Sequence, residues 1–341
     1  MDSVTLIGID LGKHSFHVHG QDKQGHGLLH KKFSRQQLLE FLARFHSCTV
    51  VMEACAGSHH MARKLATFGH QVKLISPQFV RPFVKSNKND FVDAEAICEA
   101  ASRPSMRFVT PKTESQQALS ALHRVREALI RDRTGTINQI HGFLLEFGIS
   151  LPIGQVVIKR LPAVLAEHPL PPRLAALLER LHAHYKYLDE QVGDIEKQLR
   201  EQLADDATGQ RLLTIPGIGP ITASVLAAEM GDGKQYGCSR DFAASIGLVP
   251  RQYSTGGKAN LLGISKRGDK NIRRLLVQCA RAIMQRVDRR SDQLGLWIRA
   301  MLTRRHSNVV ACALANKLAR IAWAIVARNK VFAAKEVLMP A

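Results

Sequence analysis

The first part of the chain alternates between short apolar runs and stretches whose apolar residues recur at helical spacing. Runs typical of strands occur at residues 4–9, 15–19, 26–33, 48–53 and 71–76. Helical spacing predicts helices at residues 35–45, 59–68 and 90–102. The order of three strands, helix, strand, helix, strand is typical of a mixed sheet with helices on both faces. The pattern therefore predicts an α/β domain.

The middle of the chain is polar and prone to form helices. Residues 113–147 and 173–204 predict two long helices, and the second shows heptad-like spacing of its apolar residues. The proline-containing segment 151–172 predicts an irregular connection between them. Two long helices joined in this way fit an arm that forms a coiled coil, and a helical hairpin in the core is the alternative.

The C-terminal part changes from a glycine-punctuated segment to helical stripes. Glycines recur up to residue 268, and apolar residues at helical spacing follow at 271–287 and 308–327. We expect a mainly α-helical domain there. The predicted domains are 1–112, 113–205 and 206–341.

Basic residues outnumber acidic ones, and the surplus is concentrated near the C-terminus. The chain has 48 Lys and Arg against 29 Asp and Glu, a net charge of +19. From Arg251 onward, 19 basic residues stand against 4 acidic ones, a net +15. Such clustering favours a polyanionic partner, nucleic acid above all, over a merely solvated basic face.

The sequence indicates a cytoplasmic protein. We find no apolar run long enough for a membrane span, and the N-terminus lacks the layout of a secretion signal. The six cysteines are scattered without a CxxC pair, which favours reduced thiols over disulfides or a zinc site.

Four carboxylates occupy positions where they can share a metal site. Asp10 and Glu53 each end a predicted strand, and strand ends are where loops and helix N-termini converge. Asp90 and Asp93 are three residues apart, on one face of a predicted helix. Carboxylate oxygens suit Mg²⁺, and paired ions can stabilise both the attacking and leaving oxygens of a phosphodiester. We therefore predict that these four residues bind one or two Mg²⁺ ions.

Two other features near these acids, a group of histidines and a glycine-containing segment, are not assigned a role in metal binding. His14, His59 and His60 lie close to these acids in the sequence, and we interpret them as surface or outer-sphere residues. The segment GIDLGKHS (residues 8–15) also resembles the first phosphate loop of actin-like and Hsp70-like ATPases. That class later shows a second Asp-x-Gly turn and a glycine-rich adenosine loop, which this sequence does not place convincingly.

Residues 212–231 predict two helices joined by a Gly-x-Gly turn. Gly217 and Gly219 flank Ile218, and Pro216 precedes them. Glycines permit a tight turn that brings backbone N–H groups close to a phosphate at the start of the next helix. This helix-hairpin-helix pattern indicates contact with a nucleic-acid backbone, and an ordinary helix turn is the alternative.

A pair of hydroxyl residues lies in a strongly cationic segment. Ser254 and Thr255 precede two glycines. The surrounding basic residues are Arg251, Lys258, Lys266, Arg267, Lys270, Arg273 and Arg274. A hydroxyl here could attack a phosphodiester and hold it as a phosphoserine, with the cations stabilising the transition state. An unreactive surface loop is the alternative.

These segments resemble the RNA-guided DEDD-type insertion-sequence transposases of the insertion-sequence 110/1111 family, also called bridge-RNA or seeker-RNA recombinases. The resemblance covers nearly the whole chain in the family's order. It is carried by GIDLGKHSFHV, VVMEACAGSHH, NKNDFVDAEAI, LLTIPGIGPITASVLAAE, FAASIGLVPRQYSTGGK and GISKRGDKNIRRLL. It implies a RuvC-like (RNase H-like) domain, a coiled-coil arm and a helical transposase domain with the helix-hairpin-helix.

The resemblance also implies roles and partners. Asp10, Glu53, Asp90 and Asp93 match the DEDD quartet that binds Mg²⁺. The family's serine nucleophile corresponds to Ser254 or Thr255, and we choose Ser254 because its primary hydroxyl is less hindered. The implied partners are donor and target DNA, a structured guide RNA and further copies of the chain in a dimer or tetramer. No membrane is implied, and the protein is expected at the prokaryotic nucleoid.

Two other functions are compatible with the sequence. A metal-dependent nuclease of the Holliday-junction type would use the acids alone, without a covalent serine. A nucleic-acid-binding protein without catalysis would use only the basic surface.

Overall fold

Strands occupy the first part of the chain and helices most of the rest in the computed structural model, which describes residues 3–85 and 89–334. The chain divides into two compact units, Met1–Gln117 and Ala118–Ala341. A mixed α/β part followed by a mainly helical part confirms these two features of the predicted fold class.

The first unit is built on a six-stranded sheet with the order β3-β2-β1-β4-β5-β6. The strands are β1 (Leu6–Leu11), β2 (Phe16–Gln21), β3 (Gly27–Phe33), β4 (Thr49–Glu53), β5 (Gln71–Ile75) and β6 (Phe108–Val109). β1, β4 and β5 run parallel, whereas β2, β3 and β6 each pair antiparallel with their neighbours. All five predicted strands are present, and β6 is too short for periodicity to reveal it.

Helices cover both faces of this sheet, because side chains of a strand alternate between its two faces. They are α1 (Arg35–Arg44), α2 (Ser58–Ala66), α3 (Pro77–Val80) and α4 (Asp90–Ala101). On one face, Ile9 of β1 shares a buried cluster with Leu38 of α1 and Met61 of α2. On the other face, Val51 of β4 packs with Ile97 of α4.

Gly8 allows α4 to lie directly against β1. A Cβ atom on Gly8 would lie 2.5 Å from the carbonyl oxygen of Ala94 and 2.7 Å from Sγ of Cys98. No side chain fits into that space, so glycine is required for this helix–strand distance. The N-terminal half of α4 is thereby held over the end of β1.

The second unit is mainly helical. Its helices are α5 (Glu114–Glu146), which begins at the end of the first unit, α6 (Val156–Glu167), α7 (Pro172–Ala204), α8 (Ala207–Leu213), α9 (Pro220–Met230), α10 (Ser239–Ser245), α11 (Lys270–Met284), α12 (Gln293–Leu302) and α13 (Ser307–Arg328). The short strands β7 (Pro250–Gln252) and β8 (Leu261–Ile264) form an antiparallel pair between α10 and α11.

Helices α5 and α7 run antiparallel at a constant register. Arg126 of α5 pairs with Glu196 of α7, and one heptad further along α5 Arg133 pairs with Asp189, one heptad earlier in α7. Each helix has 33 residues and is about 50 Å long. An apolar cluster nearer the turn includes Ile137, Ile140, Leu144, Leu178 and Tyr185. Within one chain the two helices therefore form a helical hairpin, and an intermolecular role of this arm stays a prediction.

The connection between these helices is not irregular, contrary to the prediction, because it contains α6. Pro162 lies inside α6 and lacks the N–H that would bond to the carbonyl of Ile158. Leu161 of α6 is fully buried in the cluster with α5 and α7. Packing against the two long helices thus stabilises a helix that the prolines of segment 151–172 made hard to predict from the sequence.

The longest apolar helix of the second unit is α13. By length and composition it could cross a membrane, although no membrane-spanning segment is predicted from the sequence. Half of its most apolar window is buried inside the protein, where Leu314 and Leu318 are inaccessible to solvent. They belong to a large cluster with Phe242 of α10 and Leu276 of α11. A core helix of a globular protein passes the same length and composition test.

Two glycines hold the base of the β7–β8 hairpin against the end of α10. Gly247 and Gly268 both adopt positive φ, at 73° and 74°. A Cβ atom on Gly268 would lie 1.7 Å from the carbonyl oxygen of Ser245, and one on Gly247 would lie 2.1 Å from that of Arg267. The Lys266 N–H donates a hydrogen bond to the Gly247 carbonyl at 3.1 Å. The segment after β8 is thus fixed to the segment before β7.

We expect Gly268→Ala to lower the free energy of unfolding by at least about 2 kcal/mol. The left-handed backbone alone costs an L residue roughly 1–2 kcal/mol, and the new methyl group would also collide with the Ser245 backbone. Gly263→Ala is the matched control, because a Cβ there meets nothing within 4 Å and should change stability by less than about 0.5 kcal/mol. Urea unfolding measures both variants, and equal midpoints would contradict the close contact.

Candidate functional site

The register of the sheet brings Asp10, His17 and Glu53 to one level. Asp10 of β1 lies directly opposite His17 of β2 in the antiparallel pair. Residues directly opposite each other project to the same face. In the parallel pair of β1 with β4, Ile9 lies beside Met52, so Glu53 follows at the level of Asp10. The ends of three adjacent strands therefore supply three polar side chains.

Helix α4 adds two further carboxylates to this level. The Asn89 side chain accepts a hydrogen bond from the Phe91 N–H at 3.0 Å and begins the helix, which places Asp90 and Asp93 in its first turn. Oδ2 of Asp90 lies 3.5 Å from Nδ1 of His17. Ligand atoms of Asp10, His17 and Asp90 all lie within 4.8 Å of one another.

The carboxylates of this site repel one another electrostatically. Burial raises the pKa of Glu53 above its usual range, and the charges of Asp10 and Asp93 raise it further. Burial also raises the pKa of the Cys55 thiol, with additional contributions from Glu53 and Asp10. The four acids chosen from the sequence therefore come together in the first unit, close enough to influence one another.

This donor set suits a divalent metal ion. Carboxylates gathered in a partly buried place are stabilised by a compensating cation. Carboxylate oxygens are ligands for hard divalent ions, and an imidazole nitrogen extends the range to softer ones. We refer below to Asp10, His17, Glu53, Asp90 and Asp93 as the acidic site.

His17 was not among the site residues predicted from the sequence, where His14, His59 and His60 were considered instead. His14 and His60 are exposed, and the ring of His59 accepts a hydrogen bond from the Lys112 N–H at 3.0 Å. The tight turn between the first two strands could have revealed His17. Antiparallel pairing of the residues on either side of that turn places His17 opposite Asp10.

The predicted glycine turn joins α8 to α9 in the second unit. Gly217 has a φ of 77°, and a Cβ there would lie 2.5 Å from Cγ1 of Ile283. Gly219 precedes α9 in an extended conformation, and a Cβ there would meet nothing within 4 Å. A cleft of about 420 Å³ beside the turn is lined by Pro216, Gly217, Ala282, Ile283, Arg286, Arg289 and Arg290. Gly217 thus has a packing role, whereas Gly219 leaves open space at the start of α9.

Ser254 and Thr255 lie near the tip of a β-hairpin and not in an irregular loop. The Lys258 N–H donates to the Thr255 carbonyl at 3.1 Å across Gly256 and Gly257, which have φ values of 54° and 76°. Positive φ at both central residues is typical of a type I′ turn, the usual tip of a two-residue hairpin. The Gly-Gly pair was the sequence signal for this turn.

The two hydroxyl residues project toward opposite faces of the hairpin, because neighbours in an extended strand alternate. The Gln252 amide donates a hydrogen bond to the Ser254 hydroxyl at 2.6 Å, which places these two residues on one face. Thr255 lies opposite Lys258 on the other face. Both hydroxyl residues are exposed. If Ser254 is the nucleophile, the reactive hydroxyl therefore lies on one face of the hairpin, and if Thr255 is the nucleophile, it lies on the other.

The seven predicted cations fall into two groups. Arg273 is half-buried, and its Nη1 donates to the carbonyls of Ile246 and Arg267, so it supports the hairpin base. Arg274 lies 3.7 Å from the carboxylate of Glu127. The remaining five are exposed and form no ion pair with a described residue: Arg251, Lys258, Lys266, Arg267 and Lys270.

Two family models match this chain. A transposase model for the DEDD region of the IS110 group matches residues 7–149, and the model described as "Transposase IS116/IS110/IS902 family" matches residues 209–295. The first match contains the acidic site, and the second contains both the glycine turn and the hairpin.

Curated relatives cover almost the entire chain. The transposase for insertion sequence element IS1328 of Yersinia enterocolitica is 68% identical over 97% of this chain and 99% of its own length. A probable family 20 transposase of Pseudomonas aeruginosa is 45% identical over 97% and 99%. The transposase for IS1111A of Coxiella burnetii is 42% identical over 97% and 92%. The chain therefore belongs to the IS116/IS110/IS902 family of insertion-sequence transposases, enzymes that cut and rejoin DNA.

Proposed function

We propose that this transposase is an RNA-guided DNA recombinase in which the acidic site holds Mg²⁺ and Ser254 is the nucleophile. The observation that carries the proposal is the convergence of four carboxylates at strand ends and a helix start, in a chain with an exposed hydroxyl hairpin elsewhere. The first unit is RuvC-like in this proposal, and α8 and α9 form a helix-hairpin-helix.

Mg²⁺ suits the carboxylates of the acidic site. Asp10, Glu53, Asp90 and Asp93 supply hard oxygen ligands, and the mutual repulsion evident at Glu53 favours a bound cation. When bound, Mg²⁺ would polarise the scissile phosphate and stabilise the charge that develops on its oxygens. Two adjacent strands and one helix hold these four carboxylates in fixed positions.

Ser254 supplies the covalent step. Its Oγ bonds to the phosphorus while the bond between phosphorus and the leaving sugar oxygen breaks, and the serine proton is transferred to that oxygen. A DNA hydroxyl later attacks the phosphorus of the phosphoserine, and its proton returns to Oγ of Ser254 as the serine leaves. This step rejoins the DNA strand. Gln252 donates its amide hydrogen to Oγ and so orients the hydroxyl, while the exposed cations of the segment stabilise the phosphate.

Nucleic acids contact the C-terminal surface in this proposal. Donor and target DNA and a structured guide RNA are polyanions, and the five exposed cations near the hairpin, which form no ion pair within the described part of the chain, offer phosphate contacts. The open start of α9 at Gly219 presents backbone N–H groups to a phosphate. The partly apolar cleft lined by Arg286 and Arg289 lies beside this turn.

The complete active site is shared between copies of the chain. The acids precede residue 94 and Ser254 follows residue 250, with the long α5–α7 hairpin between them. We propose that this arm joins protomers in a dimer or tetramer, so that Ser254 of one copy works with the acids of another. The assembly acts on DNA in the prokaryotic cytoplasm, at the nucleoid.

Asp10→Asn is expected to abolish stabilisation by Mg²⁺. At a Mg²⁺ concentration roughly 100 times the dissociation constant, the free energy of unfolding of the wild-type protein should rise by about 2.7 kcal/mol. That of the variant should hardly change. Without metal the variant should melt above wild type, because one charge that repels Glu53 is gone. Glu40→Gln on the exposed side of α1 is the control. Calorimetry with and without Mg²⁺ measures the melting temperatures. If Mg²⁺ raised the melting temperature equally in wild type, Asp10→Asn and Glu40→Gln, Asp10 would be excluded as a ligand.

Ser254→Ala is expected to abolish the covalent link to DNA, whereas Thr255→Ala should retain it. The assay incubates protein, guide RNA, Mg²⁺ and nicked DNA, then resolves denaturant-resistant adducts and maps the linked peptide by mass spectrometry. The opposite pattern would transfer the role to Thr255 and the other face of the hairpin. Metal-dependent cleavage with no adduct in wild type would favour a Holliday-junction-type endonuclease.

Guide RNA is expected to determine where cleavage occurs. RNA transcribed from DNA that flanks the gene should be required for cleavage, and altering its pairing segment should move the cut to the newly matched sequence. Sequencing of the cleaved ends measures the position. Unchanged cleavage positions with altered or absent RNA would refute guidance while leaving the transposase activity intact.

A further inference from the structure

His17 is a polar residue in a buried setting, on the face of the sheet that packs against α4. Only 5% of its surface is exposed. Its ring meets the ring of Phe91 edge-on, with centroids 4.7 Å apart. The helix and the strand therefore limit the directions in which the imidazole can turn, and Nδ1 is directed toward Asp90.

The distance from Nδ1 to the Asp90 carboxylate is unusual for a hydrogen bond but suitable for a shared ion. The separation is 3.5 Å, beyond the 2.7–3.2 Å or so of ordinary N–H···O bonds. Two atoms that are each about 2.1 Å from one ion are roughly 3 Å apart at a right angle and at most about 4.2 Å apart. His17 and Asp90 fall inside that interval.

His19 lies on the same face of the sheet as His17 and has a purely structural role. It is two residues further along β2 and equally buried. Its Nδ1 lies 2.8 Å from Nε2 of His30, a normal hydrogen bond. His17 instead has two carboxylates, those of Asp10 and Asp90, gathered within 4.8 Å. One histidine thus completes a bond inside the protein, and the other faces the acidic site.

We propose that Nδ1 of His17 is a direct ligand of the metal ion in the acidic site, beside Asp10 and Asp90. This inference rests on the proposed metal-binding function of the acids and adds a nitrogen to their oxygen ligands. The resulting site prefers ions such as Mn²⁺ over Mg²⁺, because imidazole binds transition ions more strongly than it binds Mg²⁺.

Pulsed electron paramagnetic resonance of the full-length protein with Mn²⁺ alone tests the ligand directly. We expect electron spin-echo modulation from a directly bound ¹⁴N nucleus, and its replacement by a ¹⁵N signal when histidine is labelled with ¹⁵N. The isotope experiment uses wild-type protein and is therefore independent of whether any variant folds.

Matched variants then assign the nitrogen to one residue. His17→Asn should remove the modulation and weaken Mn²⁺ binding by at least about tenfold, the cost of losing even an outer-sphere partner. Mg²⁺ affinity, measured by competition, should fall less, so the preference for Mn²⁺ should shrink. His19→Asn should keep both the modulation and the preference.

The outcomes separate this inference from the proposed function. Mn²⁺ bound by wild type without nitrogen coupling would overturn the His17 ligand and leave the carboxylate site standing. Coupling that survives in His17→Asn would overturn it as well. Failure of wild type to bind Mn²⁺ or Mg²⁺ at all would overturn the metal site itself, and the inference with it.

Discussion

The close packing of α4 on β1 at Gly8 is the contact on which the acidic site depends. The sheet alone fixes Asp10 and Glu53, since both belong to adjacent strands. The other carboxylates arrive on a helix, and nothing in the sheet register determines how close that helix lies. With a Cβ at Gly8, the 2.5 Å approach to the Ala94 carbonyl could not exist, and Asp90 would withdraw from Asp10.

The sequence predicted features that depend on local pattern. The strands, the first turn of α4 and the glycine turns could be found because their signals lie within a few residues of each other. Four acids could be grouped because each ends a strand or begins a helix. Their approach to one another was a topological expectation that needed no side-chain detail.

Features that depend on long-range packing were missed. Helix α6 forms around Pro162 because α5 and α7 bury its apolar side. His17 joins the acidic site only through the exact pairing of β1 with β2, which hydrophobic pattern leaves open. The hydrophobic pattern does not reveal the hairpin near Ser254, because its strands contain only three and four residues.

The hairpin also differs mechanically from the acidic site. Its base is held by the close backbone contacts of Gly247 and Gly268. At its tip, a Cβ on Gly256 or Gly257 would meet nothing within 4 Å. The six residues of extended chain from Pro250 to Thr255 span about 17 Å, so a small bend at the base would displace the hydroxyl by a much larger distance. We therefore expect the surface that the tip contacts to determine the final position of the hydroxyl, with no change in the packing of the helical core.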